Sequence, residues 1–203
     1  MNIVSEIVDQ SQPVLEITSI DSATFKNDYF KKKKPIIIKG YAKDWGATKK
    51  WDLDFLLKLE EDKDILLLSD NFIQDDNRYK SATFKDYIKQ LKDAEVNNLD
   101  IKDYLTTLDI FRYYPHLKND IDFSLFEEKI TKENVINAWI GPPNTISGFH
   151  ADTANNVYAQ IKGKKRFIIC STKFNKTMYP SKKHIYGAVA SEVDINNFDI
   201  AKY

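Results

Sequence analysis

His150 and Asp152 stand two residues apart in the run Ser147-Gly148-Phe149-His150-Ala151-Asp152. On a β-strand side chains alternate with period two, so this spacing puts an imidazole and a carboxylate on one face. They are two of the three donors of the 2-His-1-carboxylate triad that holds non-haem Fe(II). The same pair also fits a partly buried histidine hydrogen-bonded to a neighbouring carboxylate. Asn156 comes next at strand spacing and suits either of two tasks, orienting a ligand carboxylate or capping a strand edge. Lys162, Lys164, Lys165 and Arg166 then crowd a turn at Gly163. A lysine such as Lys165 can meet the distal carboxylate of a bound acid through charge-assisted hydrogen bonds, or simply sit in a solvated basic turn.

Strands must carry these residues. Asn134 to Ile140, Ser147 to Asp152, Asn156 to Ile161 and Arg166 to Cys170 all read as short strands, punctuated by Gly141-Pro142-Pro143-Asn144 and by the Gly163 turn. Such spacing predicts an antiparallel barrel or sandwich. Helical patterns concentrate earlier. Ser22 to Phe30 begins at an Asp21 or Ser22 cap, Asp52 caps a helix to Leu59, and Thr83 to Ala94 carries Phe84, Tyr87, Ile88 and Leu91 on one stripe. Pro35 to Gly40, Ile65 to Ser69 and Asp103 to Leu108 read as strands, Asn71 to Lys80 as a loop or hairpin, and Ala42 to Trp51 as a polar connection. Tyr113-Tyr114-Pro115 reads as a turn, and Leu117 to Lys129 as a loop with a short helical turn. The expected class is α+β. Residues 1–130 form a helical and strand elaboration, and residues 131–203 the first part of a barrel core, within a single domain.

Bulk composition narrows the partners. Across 203 residues, 42% are hydrophobic and 13% aromatic, enough to fill a core. Thirty basic residues balance thirty acidic ones, which gives no electrostatic argument for nucleic acid or a membrane surface. Cys170 is the single cysteine, so no intrachain disulfide forms and a reducing compartment is the simplest expectation. Residues 1–12 lack a basic and apolar leader pattern, and the longest apolar runs are too short to span a bilayer. The expectation is a soluble, cytoplasmic protein.

Three stretches carry a family resemblance. Pro35-Ile36-Ile37-Ile38-Lys39-Gly40 with Asp44-Trp45 is one. Ser147 to Asp152 running through Asn156-Val157-Tyr158-Ala159-Gln160-Ile161-Lys162-Gly163-Lys164-Lys165-Arg166-Phe167 is the second and most specific. Met178-Tyr179-Pro180 with Ser191-Glu192-Val193-Asp194 is the third. Together they resemble the JmjC-like cupins (cupin-8 type), Fe(II)- and 2-oxoglutarate-dependent oxygenases that include the asparaginyl hydroxylase of hypoxia-inducible factor. The resemblance implies a double-stranded β-helix, the jelly-roll barrel of the cupins. It implies His150 and Asp152 as iron ligands and Lys165 as partner of the 2-oxoglutarate C5 carboxylate. Ser147 stands where the family often has a threonine touching that carboxylate. Asn156 is implied near the cofactor, and Tyr104, in Tyr104-Leu105-Thr106-Thr107, is similar to a tyrosine that hydrogen-bonds the same carboxylate. The implied chemistry consumes O2 and the 2-oxo acid, forms succinate and oxidises a C–H bond of a protein side chain or small molecule.

The pattern departs from the family at the second histidine, expected on a late strand. His116 reads as packing or capping a loop, and His184 lies in a polar loop, so neither is assigned as third ligand. Two protein donors alone would hold iron weakly. A barrel left incomplete at its C-terminus exposes strand edges that invite a second copy or another chain. Three explanations compete: an N-terminal portion of a longer gene product (the favoured one), completion by another subunit, or a degenerate relative. The favoured function is thus an oxygenase once the barrel is completed. The alternative is a non-catalytic cupin-like module that binds a partner through an open edge.

Overall fold

The computed structural model describes residue 6 and residues 10–68, 79–126, 136–185, 188–194, 198 and 201–202. Helix and sheet are mixed, as the α+β expectation requires, but among the described residues no sheet closes into a barrel.

The best-packed part is a four-stranded antiparallel sheet covered by helices. Its order is β4 (Tyr79–Thr83), β3 (Asp64–Leu68), β5 (Tyr104–Leu108) and β6 (Ala138–Ile140). Alternation in β3 buries Ile65 and Leu67 and turns Leu66 outward. Helix α4 (Phe84–Asn97) lays the expected stripe, Phe84, Tyr87, Ile88 and Leu91, into the same core. Thr83 caps its N-terminus by accepting from the Asp86 N–H at 3.2 Å, and Asn98 ends it in the left-handed conformation. Each of these fully buried side chains contributes roughly 1.5–3 kcal/mol relative to exposure. Helix α3 (Leu53–Leu57) begins at Asp52, whose carboxylate accepts from the Phe55 N–H at 2.7 Å.

Beyond β5, α5 (Ile110–Tyr113) leads into a 3-10 helix, Pro115–Asp120, where a turn and then a loop with a short helical turn are expected. Tyr114 joins the core there, its ring 5.7 Å from that of Phe84 and its hydroxyl donating to the Glu61 carbonyl at 2.7 Å. The 42–51 connection is also more ordered than its polarity predicts. It contains α2 (Gly46–Lys50) with Trp45 and Ala47 buried. Asp120 accepts from Lys50 Nζ at 2.5 Å and from Trp51 Nε1 at 2.9 Å, tying that connection to the 3-10 helix. Ser22–Thr24 (α1) is a helical turn capped by Asp21, continuing as π-helix over Phe25–Phe30. β1 (Glu16–Ile17) and β2 (Ile37–Ile38) pair in parallel.

One irregularity matters for the site. Between Leu105 and Leu108, β5 spends three residue steps against two on β6, a bulge, and Thr107 there has φ 52°. That left-handed value is costly for a β-branched residue. The bulge lets Leu105 and Leu108, three residues apart, both reach the core, while Tyr104 belongs to the other face of the sheet.

The second sheet is antiparallel, ordered β7 (His150–Asp152), β9 (Ala188–Ser191) and β8 (Pro180–Ile185). Here the strand expectations need correction. Asn156 to Ile161 and Arg166 to Cys170 enter no sheet, because a strand pattern becomes a strand only with a ladder partner, and the described residues supply none. The chain still folds back at Gly163 (φ 75°), so that the Tyr158 and Phe167 rings meet edge-on at 5.0 Å. Conversely, the segment read as a polar loop around His184 is strand β8. The hairpin region 71–78 and part of the 117–129 segment lie outside the described residues.

Candidate functional site

The residues singled out from the sequence gather in two clusters on different sheets. In the first, Tyr104 from β5 meets Lys165 from the cationic turn. Lys165 Nζ donates to the Tyr104 hydroxyl at 3.1 Å and lies 5.2 Å from the ring centroid, although the residues are 61 positions apart. Tyr104 is only 4% exposed. Burial pushes its hydroxyl pKa up to about 12, so at neutral pH it is protonated and able to donate. The half-buried Lys165 supplies the positive charge, and a carboxylate at this spot would be offered an ammonium and a phenol together.

Alternation explains how Tyr104 is held. Ala138 and Ile140 of β6 pack on the core, which gives Trp139 to the other face, where its ring lies 5.7 Å from that of Tyr104. Gly141 comes next in the chain, closely apposed to the Tyr104 ring. Tyr158 completes the surroundings. Its hydroxyl pKa is raised by burial, while the Lys165 charge pulls it partway back. Reading along the strands missed Trp139, Gly141 and Tyr158. The available signal was the glycine turn at Gly163, which folds the chain back and brings Tyr158 to Phe167. Lys162 Nζ donates to the Thr48 carbonyl at 3.2 Å and anchors the turn to α2.

The second cluster comprises β7, Gly148 just before it and Asn156 just beyond it. His150 Nδ1 lies 2.8 Å from the Gly148 carbonyl oxygen. A carbonyl only accepts, so Nδ1 carries the proton and the lone pair of the neutral ring is on Nε2. Nε2 is 3.8 Å from Asp152 Oδ1, too long for a direct hydrogen bond, and the two side chains are 34% and 41% exposed. Asn156 Nδ2 donates to Asp152 Oδ2, leaving Oδ1 turned toward the imidazole. A neutral imidazole nitrogen and a carboxylate oxygen, each fixed by a hydrogen bond on its far side, form a donor pair suited to a divalent first-row metal.

Other candidates stay outside both clusters. Ser147, three residues before His150, is half-buried and makes none of the described hydrogen bonds. His116 is exposed in the 3-10 helix, electrostatically beside Asp120. His184 is a strand residue whose row in the ladder is that of Val189, and through it Ala151, rather than that of His150 or Asp152. Among the described residues no group of three His, Cys, Asp or Glu forms a metal site. Nor is any described helix long and apolar enough to cross a membrane.

With both clusters described, the chain can be set against known families. The cupin-like domain family matches residues 22–203, and the chain belongs to it, among the JmjC-like cupins of Fe(II)- and 2-oxoglutarate-dependent oxygenases. Among its relatives are lysine-specific demethylase 8 of Danio rerio, 28% identical over 96% of this chain and 50% of the relative, and JmjC domain-containing protein D of Dictyostelium discoideum, 28% identical over 88% and 44%. A third is the human tRNA wybutosine-synthesizing protein 5, 25% identical over 96% of this chain and 65% of that protein. The chain spans about half the length of most of the curated relatives it matches.

Proposed function

We propose that this chain carries the metal- and cosubstrate-binding residues of an Fe(II)- and 2-oxoglutarate-dependent hydroxylase. The observation that carries the reading is the Lys165–Tyr104 contact at 3.1 Å, which joins two distant residues expected from sequence to hold one carboxylate. In this reading His150 Nε2 and Asp152 Oδ1 are the metal donors and Asn156 orients the aspartate. Lys165 and Tyr104 receive the C5 carboxylate of 2-oxoglutarate; Ser147, outside both clusters here, is kept as a second hydroxyl for that carboxylate only on the family resemblance. Bound iron supplies the oxidative chemistry, in which O2 and 2-oxoglutarate are consumed and a substrate C–H bond is oxidised. The protein's part is to orient the imidazole through the Gly148 carbonyl, so that Nε2 faces the metal position, and to hold the cosubstrate at its far end. The β7–β9–β8 sheet and the Gly163 turn are, in this proposal, parts of a cupin jelly roll.

For the substrate we propose a protein side chain or a small molecule. One relative is named for a tRNA product, but the balanced charge of this chain supports no nucleic-acid partner. A cytoplasmic setting and pairing through an open strand edge, with a second copy or another chain, belong to the same proposal. Anaerobic titration with Fe(II) and 2-oxoglutarate tests the core of it. The expected result is a weak visible charge-transfer band, lost in His150→Ala and Asp152→Ala; no band and no 2-oxoglutarate binding would reject it.

A second reading, a cupin-like module that binds a partner without catalysis, is favoured by one observation. Among the described residues no third His, Cys, Asp or Glu completes a metal site with His150 and Asp152. It predicts a partner whose capture survives His150→Ala and Asp152→Ala.

A further inference from the structure

Tyr104 owes its position to two residues that touch neither metal nor cosubstrate in the proposed site. A Cβ on Gly141 would fall 2.5 Å from Tyr104 Cδ2 and 2.8 Å from Cε2, with Thr145 Oγ1 at 3.0 Å on another side. These are ring atoms of a side chain 4% exposed, flanked by Trp139 and Lys165, so the ring cannot yield by a simple rotation. The close approach is steric, since Gly141 does not need a left-handed φ.

Tyr87 acts from the opposite side of the sheet. Its ring is in the core on α4, and its hydroxyl lies 2.9 Å from the Asp103 carbonyl oxygen and 3.0 Å from that of Ile140. Those two carbonyls belong to the residues immediately before Tyr104 and Gly141. One phenol proton is thus shared between the β5 and β6 backbones at the point where the ring and the glycine meet. Burial raises the Tyr87 pKa, so the proton stays in place across the usable pH range.

We infer that Gly141 and Tyr87 are positioning residues that set the Tyr104 hydroxyl against Lys165 and thereby tune the grip on the cosubstrate's distal carboxylate. The inference rests on the assignment of Tyr104 and Lys165 to that carboxylate. Gly141 provides the space, and Tyr87 fixes the spacing of the two strands that bound it. Neither residue has an assigned role in binding.

The test is 2-oxoglutarate affinity of the chain, measured by calorimetry and by the emission of Trp139 beside the Tyr104 ring. Gly141→Ala is expected to weaken binding on the order of tenfold, the scale of one misplaced charge-assisted hydrogen bond, and Tyr87→Phe by roughly threefold. Both effects should vanish in a Tyr104→Phe background, because a residue acting through the Tyr104 hydroxyl has nothing left to position there. In turnover the KM for 2-oxoglutarate should rise more than kcat falls. Wild-type affinity in both variants, or equal losses with and without the Tyr104 hydroxyl, overturns the inference. Should the unsubstituted chain fail to bind 2-oxoglutarate, the site assignment falls, and nuclear Overhauser contacts between the Lys165 methylene protons and the Tyr104 ring decide the positioning alone. Their loss in Gly141→Ala upholds it, and their persistence overturns it.

Discussion

The two halves of the candidate site are built to different standards. Tyr104 stands on a sheet whose other face is the main core, with Leu67, Phe84 and Leu105 essentially inaccessible. His150 and Asp152 stand on a short strand whose three residues are all exposed, and their orientation comes from local partners, Gly148 and Asn156. The buried core is concentrated between Trp45 and Leu125, whereas Val157, Tyr158, Phe167 and Ile169 in the later half are 44–61% exposed. Under the proposed assignment, the difference teaches that anchoring the carboxylate end and presenting the metal end are separable tasks. One is held by the fold, the other by a few neighbouring hydrogen bonds.

Substitutions can break that contrast. Phe84→Ala should cost about 3–5 kcal/mol of stability, while Phe167→Ala, at 56% exposure, should cost under about 1 kcal/mol in the same denaturant melts. Equal losses would mean the later half is packed as tightly as the earlier one. Lys165→Ala should weaken 2-oxoglutarate binding by about 2–3 kcal/mol, near a hundredfold, with a midpoint of unfolding close to wild type, since Lys165 joins no core cluster. A large fall in stability would place Lys165 among the structural residues instead. Asp120→Ala should cost about 1 kcal/mol, the Lys50 partner being half-exposed and Trp51 Nε1 losing its acceptor.

The smallest effect concerns alkaline pH. Tyr87, Tyr104 and Tyr114 all have hydroxyl pKa values raised by burial. The folded state therefore binds more protons than the unfolded one above about pH 10, so stability is full below that pH and falls as pH rises toward 12. Chemical denaturation at pH 8, 10 and 11 checks the slope. Tyr104→Phe should flatten it, and an unchanged slope would mean the ring is more solvated than its packing indicates.

Sequence periodicity revealed the parts whose partners are nearby and abundant. The α4 stripe from Phe84 to Leu91 and the Asp52 cap are read from spacing and capping chemistry and occur where expected, whereas Thr83, read as the first helical residue, is the N-cap. The short helix Gly46–Lys50 escaped notice because its buried residues, Trp45 and Ala47, do not form a long enough stripe. Ser181 to Tyr186 reads as a loop because Ser181, Lys182, Lys183 and His184 are polar, yet the backbone pairing of β8 with β9 needs no apolar side chains. Asn156 to Ile161 failed for the opposite reason, having the pattern of a strand and no ladder. Within the site, His150 and Asp152 were legible as a spacing and Lys165 as a charge in a turn. The roles of Gly141 and Tyr87 were not, since a steric clearance and a hydroxyl shared by two backbones leave no signature in composition or period.

The bulge at Thr107 means that the β5 strand has one link more than its neighbour requires. Removing that link would place Leu108 two steps from Leu105, still facing the core, and would relieve a β-branched residue of its left-handed backbone. Deletion of Thr107 is thus expected to leave the unfolding midpoint close to that of the intact chain, which a denaturant melt checks.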